Sequence, residues 1–385
     1  MRASVIGIAT RRALIAVLAL AACKRAPEVG HRPASPAADT TALAAFADSV
    51  AAGRFGYVDG MRITRDGALV FAHNFPRASD SLYPMTGAPG PFNYHDPRWH
   101  PFYHGTDLHT LQSVTKSVTS IVFGIAVARG DIASLDAPIA PLFPERASLM
   151  SDPRKQRITI RNLLTMTSGI RWPEGSAYDT SEDLTGRMEV SEDWVGVVLA
   201  QPMEGEPGTI WSYSSGGAAL LGAVFEKLTG RDIQDYTRER LFAPLGITRL
   251  HWKRSSGGLT DTEGGLYLDL DGLERVGRLV VNGGRWNGQQ LVPAAWVTES
   301  GTPQPPHALD RRDKKYGYGT LWWTPPRDVV HDPNAFFAWG YGGQYIVLLP
   351  ATRTVGVMTQ WNLTGKGIAP EAFAARVERA VSGGR

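Results

Sequence analysis

The chain has 385 residues, with 40 Lys and Arg against 37 Asp and Glu, and a single cysteine. That length supports a large core, the lone cysteine excludes an internal disulfide, and the near balance of charge, with no Lys/Arg cluster, argues against a nucleic-acid partner. Arg2, Arg11 and Arg12 account for the whole formal charge of +3, so the chain after Cys23 is close to neutral.

Residues 1–22 carry those arginines, then an uncharged run from Ala13 to Ala22 that is too short to span a bilayer, and lead into Leu20-Ala21-Ala22-Cys23. The pattern predicts a secretory signal whose ending resembles a bacterial lipobox, with Cys23 acylated. An ordinary signal cleaved after Ala22 is the alternative. The expected location is the periplasmic face of a membrane, the outer membrane ahead of the inner, or the cell surface, with membrane contact only through the lipid. Residues 23–39 are rich in Pro and Ala without an apolar period and read as a tether. The folded domain is expected over residues 40–385.

Leu43, Phe46 and Val50 recur at helical spacing, and alternating runs from Met61 to Thr64 and from Ala68 to Ala72 flank Asp66-Gly67, the mark of a hairpin. His95, His100, His104 and His109 follow among aromatic residues. Pro97 and Pro101 break the helical spacing of His100 and His104, and no HExxH pattern accompanies them, so they read as a loop near a cleft mouth and no metal is expected.

Ser113-Val114-Thr115-Lys116 then opens a strongly apolar helix ended by Gly130. Residues i and i+3 are neighbours on a helix, so the Lys116 amine reaches the Ser113 hydroxyl. A lysine acts as a base when desolvation or a neighbouring cation lowers its pKa, which predicts a buried, neutral Lys116.

From about 131 to 250, helical periods separated by Pro and Gly predict a mainly helical lobe. Within it, Trp172-Pro173-Glu174 and the acids Asp179, Glu182 and Asp183 read as one loop, whose charge would disfavour anionic substrates were it to line a site. Tyr213 precedes a helix that Ser214 or Ser215 can cap, and its hydroxyl can relay a proton if it reaches Lys116. Strand-like runs return at Tyr316 to Thr324, Tyr345 to Leu349 and Thr354 to Trp361, and Pro370 opens a terminal helix to Val381. Trp339-Gly340-Tyr341-Gly342-Gly343-Gln344 reads as a glycine-rich strand edge able to approach a ligand, with the Ser113 and Gln344 amides as an oxyanion hole. The fold class expected is α+β, an antiparallel sheet flanked by helices plus the helical lobe. No Gly-x-Ser-x-Gly segment is present to suggest an α/β-hydrolase elbow.

In this order the three elements resemble the serine β-lactamase and penicillin-binding-protein superfamily, in particular its class C-like branch of esterases, DD-peptidases and 6-aminohexanoate-dimer hydrolases, over roughly residues 40 to 382. Ser113 and Lys116 match Ser-x-x-Lys, Tyr213 and Ser215 fall on Tyr-x-Asn, and Tyr341 to Gly343 fall on Lys-Thr-Gly or His-x-Gly. Asn162 to Gly169 and Phe242 to Gly246 also look like the family. The resemblance implies a β-lactamase/transpeptidase-like fold and an acyl-enzyme on Ser113 without a cofactor. Ser215, Tyr341, Gly342 and Gly343 are its expected substrate-binding residues, and Trp172, from the loop reading, is a further one. Ser215 replaces an asparagine and Tyr341 a cation, which favours a small ester or amide over strong penicillinase activity; the expected partner is a small-molecule ester, amide or peptide substrate. The alternatives are a DD-peptidase, a β-lactamase, or a sensor that is acylated without turnover.

Overall fold

Asp66 and Gly67 take φ of 52° and 79°, the left-handed pair that a two-residue hairpin turn requires. They join β1 (Val58–Arg65) to β2 (Ala68–Asn74). The computed structural model describes residues 38–75, 108–174, 183–304, 309–311, 314–362 and 367–382. The chain divides into residues 1–35 and 36–385, and every described residue lies in the second unit. The signal segment, Cys23, most of the tether, His95, His100, His104, Asp179 and Glu182 lie outside the described residues.

Six further strands come from the C-terminal part: β3 (Leu309–Arg311), β4 (Lys314–Tyr318), β5 (Trp323–Thr324), β6 (Phe336–Gly340), β7 (Gln344–Leu349) and β8 (Thr354–Gln360). All eight form one antiparallel sheet in the order β2-β1-β8-β7-β6-β5-β4-β3. Met61 lies opposite Met358 and Arg65 opposite Thr354, so the hairpin near the start and the strands near the end share a ladder. Two details differ from the periodicity. The run from Tyr316 to Thr324 is two strands, with Leu321 at φ 62° in the turn between them. The strand β6 was not anticipated, because Phe336-Phe337-Ala338-Trp339 is a continuous apolar run without alternation.

Five of the helices matter most to the site: α1 (Thr40–Ala51), α2 (Val114–Arg129), α3 (Ser215–Thr229), α4 (Leu270–Val281) and α5 (Pro370–Val381). Neighbouring strand residues face opposite sides of a sheet. Val355 lies against Gly277 of α4, and the next residue, Gly356, lies against Phe373 and Val377 of α5. The sheet is therefore covered on both faces, and α1 packs beside α5. Between residues 131 and 250 the described elements are helices and turns, crossed only by the single bridges Pro138–Thr159 and Ile170–Met203. Helix α2 is enclosed, with Val114 to Ala126 buried on every face, and it ends at Gly130, whose φ of 79° lets its N–H cap the Ala126 and Val127 carbonyls. Among the described residues no helix is long and apolar enough to cross a membrane.

Candidate active site

A small three-stranded sheet holds the start of α2. His109–Thr110 pairs with Leu266–Leu268, which pairs with His251–Trp252. Leu111 N–H donates to the Leu266 carbonyl at 2.8 Å, Leu266 N–H donates to Thr115 Oγ1 at 3.1 Å, and Thr119 Oγ1 donates to the Thr262 carbonyl at 3.2 Å. The segment 261–266 is thereby fastened along α2, and Thr262 Oγ1 ties it to α3 by donating to the Ala218 carbonyl at 2.8 Å. Asp261 Oδ1 accepts from Glu263 N–H and Gly264 N–H at 3.0 and 2.9 Å, a local turn that stands Glu263 over α2. Just before the nucleophile candidate, Gln112 takes φ of 47°, a left-handed conformation costly for a non-glycine residue.

Ser113 is the N-cap residue of α2 and is half-buried, while Lys116, one turn on, is fully buried. Lys116 Nζ lies 2.9 Å from Ser113 Oγ, 3.0 Å from Ser215 Oγ, 2.8 Å from the Glu263 carbonyl and 3.0 Å from Glu263 Oε2. Tyr213 stands beside this pair, its ring centroid 5.2 Å from Lys116 Nζ. Ser214 caps α3 by accepting from Gly217 N–H at 2.9 Å, which puts Ser215 in the first helical turn facing Lys116. Ser215 in turn donates to Glu174: its hydroxyl to Oε1 at 2.8 Å and its N–H to Oε2 at 2.9 Å.

The electrostatics correct one expectation. Lys116 is buried, as desolvation of a base requires, but its pKa is raised rather than lowered. Burial pulls it down, and Tyr213, Glu263 and Glu174 together outweigh that pull. Burial likewise pushes the Tyr213 phenol up, against the opposing effect of Lys116, so it is a neutral donor near pH 7. Glu263 stays below the usual carboxylate range: burial pushes it up, and Lys116, a hydrogen bond from Glu189 and Lys253 pull it down further. Burial lifts the half-buried Glu174 carboxyl to about 7, with Lys116 opposing and Glu263 adding.

The other residues expected in the site divide. Trp172 is 2 % exposed, its indole donates to Thr185 Oγ1 at 3.2 Å, and its ring fills the space where Gly216 has no side chain. It supports the start of α3 from beneath and does not line a cleft. Ser215, 1 % exposed, faces Lys116 and Glu174 instead of a substrate. Tyr341-Gly342-Gly343 is the turn of the β6–β7 hairpin, with φ of 80° and 102° at the two glycines, and both strands are interior to the sheet rather than at its edge. Gly340 packs so close to the Leu111 carbonyl that a β-carbon there would sit 2.2 Å from it. The hairpin therefore meets the nucleophile turn at Gly340, next to Tyr341. Gln344 lies at the base of β7, 1 % exposed, its side chain bonded to the Tyr341 carbonyl and to both backbone groups of Gln360. His109 is engaged on both ring nitrogens, with Asp59 at 2.8 Å and the Thr110 carbonyl at 2.7 Å. Aromatic rings adjoin Tyr213: Trp323 stacks on it at 5.7 Å, Trp211 is 6.4 Å away, and Trp339 lies 5.7 Å beyond Trp323.

Two groups went unassigned by the sequence reading. Glu263 sits in a Thr-Glu-Gly-Gly stretch with no motif of its own, and Glu174 reads only as part of an acidic loop. Their contacts lie 147 and 41 residues away along the chain, a pairing that no local signal carries.

The chain matches the Beta-lactamase family over residues 50–378. Among curated relatives, esterase EstB of Burkholderia gladioli is 33 % identical over 147 residues, covering 36 % of this chain and 37 % of that protein. Penicillin-binding protein 4 of Amycolatopsis lactamdurans is 34 % identical over 136 residues, covering 35 % of this chain and 33 % of that one. The matched segments thus span about a third of those relatives. Among solved structures, a family VIII carboxylesterase superposes with a TM-score of 0.64 at 16 % identity, over 89 % of this chain and 96 % of that one. The octameric penicillin-binding protein homologue from Pyrococcus abyssi superposes with a TM-score of 0.62 at 19 % identity, over 90 % and 78 %. These likenesses bear on the fold, an α+β architecture with an antiparallel sheet between helices. With the family match covering most of its length, the chain belongs to the Beta-lactamase family.

Proposed function

We propose that the protein is a serine hydrolase that cleaves a carboxylic ester, or a small amide, through an acyl-enzyme on Ser113. The observation that carries this reading is the buried Lys116 amine 2.9 Å from the half-buried Ser113 hydroxyl, with the Tyr213 ring 5.2 Å from the same amine. Ser113 Oγ bonds to the substrate carbonyl carbon while Lys116 takes its proton. Tyr213, a neutral phenol, hands a proton to the departing alkoxide or amine and takes one back from Lys116, which returns the Ser113 proton to the phenol. The Ser113 amide is one oxyanion donor. For the other, the packing of Gly340 on Leu111 supports the adjacent Tyr341 amide over that of Gln344.

Esters are favoured over lactams and peptides by the curated relative named an esterase, and by Ser215 and Tyr341 standing where the family resemblance has an amide and a cation. The ring cluster of Trp211, Tyr213, Trp323 and Trp339 suits an apolar acyl or alcohol group. Export and lipidation of Cys23 belong to the same reading and rest on the Leu-Ala-Ala-Cys sequence alone. Incubating the protein and S113A with a fluorophosphonate and a p-nitrophenyl ester tests the assignment. A Ser113-dependent mass adduct together with ester release is expected. Ester release by S113A at the parent rate overturns it.

A further inference from the structure

The pairing of Lys116 with Ser113 leaves a difficulty, because a lysine held as an ammonium cannot accept the serine proton. Its surroundings offer a way out. Lys116 Nζ has four oxygens within reach, and an ammonium has three N–H donors. The two Glu263 oxygens only accept. Ser113 and Ser215 are hydroxyls that also donate, and Ser215 is turned toward Glu174 Oε1 at 2.8 Å. A continuous path of hydrogen bonds thus runs from Lys116 through the buried Ser215 hydroxyl to the Glu174 carboxylate.

We propose that Ser215 and Glu174 form a proton wire that converts Lys116 into a base. One N–H bond of the Lys116 ammonium breaks as its proton joins Ser215 Oγ, while the proton already on Ser215 passes to Glu174 Oε1. Ammonium and carboxylate become amine and carboxylic acid, Ser215 is unchanged, and the charge of the cluster is conserved. Lys116 keeps two N–H bonds directed at Glu263 and presents its lone pair to the Ser113 proton. When the leaving group has been protonated, the wire runs backward. Ser215 and Glu174 touch no reacting atom, so they are positioning residues acting through Lys116. The departure at position 215 fits this use: a hydroxyl exchanges its proton in a relay, whereas the asparagine of the family resemblance holds its N–H protons far more firmly.

Burial lifts Glu174 to about 7, so the transfer from Lys116, whose own pKa is raised, is uphill but less so than to an ordinary carboxylate. The charged and titratable groups acting on the pair are Tyr213, Glu263 and Glu174 toward Lys116, and Lys116 and Glu263 toward Glu174, with Tyr318 coupled to Glu174 and the Glu189, Asp261 and Lys253 group behind Glu263.

The inference rests on the serine-hydrolase reading, and the rate of Ser113 labelling by a fluorophosphonate between pH 5 and 10 separates the two. Glu174 must be ionised to receive the proton, so the wild-type rate rises with pH through about 7 and then levels. In E174Q the proton has no acceptor, the rise moves by more than about one pH unit to the alkaline side, and the rate at pH 7.5 falls about 100-fold. S215A behaves like E174Q, and S215T, which restores a hydroxyl, recovers the wild-type profile. A slower rate with the rise still near 7 in both E174Q and S215A overturns the wire and leaves the hydrolase reading standing. Absence of Ser113 labelling in the wild type at every pH overturns both.

Discussion

Lys116 and Lys253 are two inward-facing lysines of the same domain, each held against carboxylates, and they differ in what else they touch. Lys253 Nζ meets Glu189 Oε2 at 2.5 Å and Asp261 Oδ2 at 3.3 Å. Lys116 Nζ meets Glu263 Oε2 at 3.0 Å and two hydroxyls besides, those of Ser113 and Ser215. Burial lowers the pKa of both, and it is more than reversed in both, by Tyr213, Glu263 and Glu174 around Lys116 and by Glu189, Asp261 and Glu263 around Lys253. Desolvation therefore does not by itself make a lysine a base here. A cation faced by carboxylates is held as a cation, and only the one whose partners include proton-passing hydroxyls has a route to the neutral form.

That contrast is breakable, and the largest effect is expected at the nucleophile. S113A should lower ester turnover at least about 10⁴-fold without lowering the thermal midpoint, checked by initial rates and a melting curve on the same sample. K116M should lower turnover about 10³-fold, within the range for removing a general base. K253M should instead act on the fold: it leaves Glu189 and Asp261 without their cation, at a cost of about 3–5 kcal/mol, while the protein that remains folded keeps its turnover rate. Urea unfolding with rates measured below the transition separates the two. A K253M variant that is as stable as wild type but has lost activity would erase the distinction.

Smaller effects sharpen it. Y213F should slow turnover about 100-fold for esters with poor leaving groups and much less for p-nitrophenyl esters, whose phenolate needs no proton. Glu174 makes a stability prediction with a definite sign. Its folded pKa of about 7 lies above the ordinary 4.5, so the folded state binds its proton more tightly. The stabilisation is complete below about pH 4.5 and is lost as pH rises to about 7, a change of at most ~3 kcal/mol from this group. E174Q should therefore melt relatively higher than wild type at pH 8 than at pH 5. A wild-type minus E174Q difference that does not vary with pH would place the Glu174 carboxyl at an ordinary pKa.

How far the sequence reaches follows from the same residues. Ser113 and Lys116 are legible because a helix makes i and i+3 neighbours, and the Asp66-Gly67 hairpin because the left-handed region admits few residues. Tyr213 is found by its place in a family pattern and its loop before a capped helix. Glu263 and Glu174 are not legible, since their meaning arises only when the small sheet and the start of α3 bring them to Lys116. The same gap misplaced Trp172, which reads as a loop residue facing substrate until Gly216 is seen lying against its ring. The neutral-lysine expectation failed for the reason that it counted burial without the acids that come with it.

The account turns on Lys116 acting on Ser113, and the most direct measurement is the rate of Ser113 labelling by a fluorophosphonate in wild type, K116M and K253M at pH 7.5, on folded protein. Wild type and K253M are expected to react within a few-fold of each other, and K116M at least about 100-fold more slowly. Labelling of K116M at the wild-type rate would show that Ser113 owes nothing to its lysine and would contradict the account.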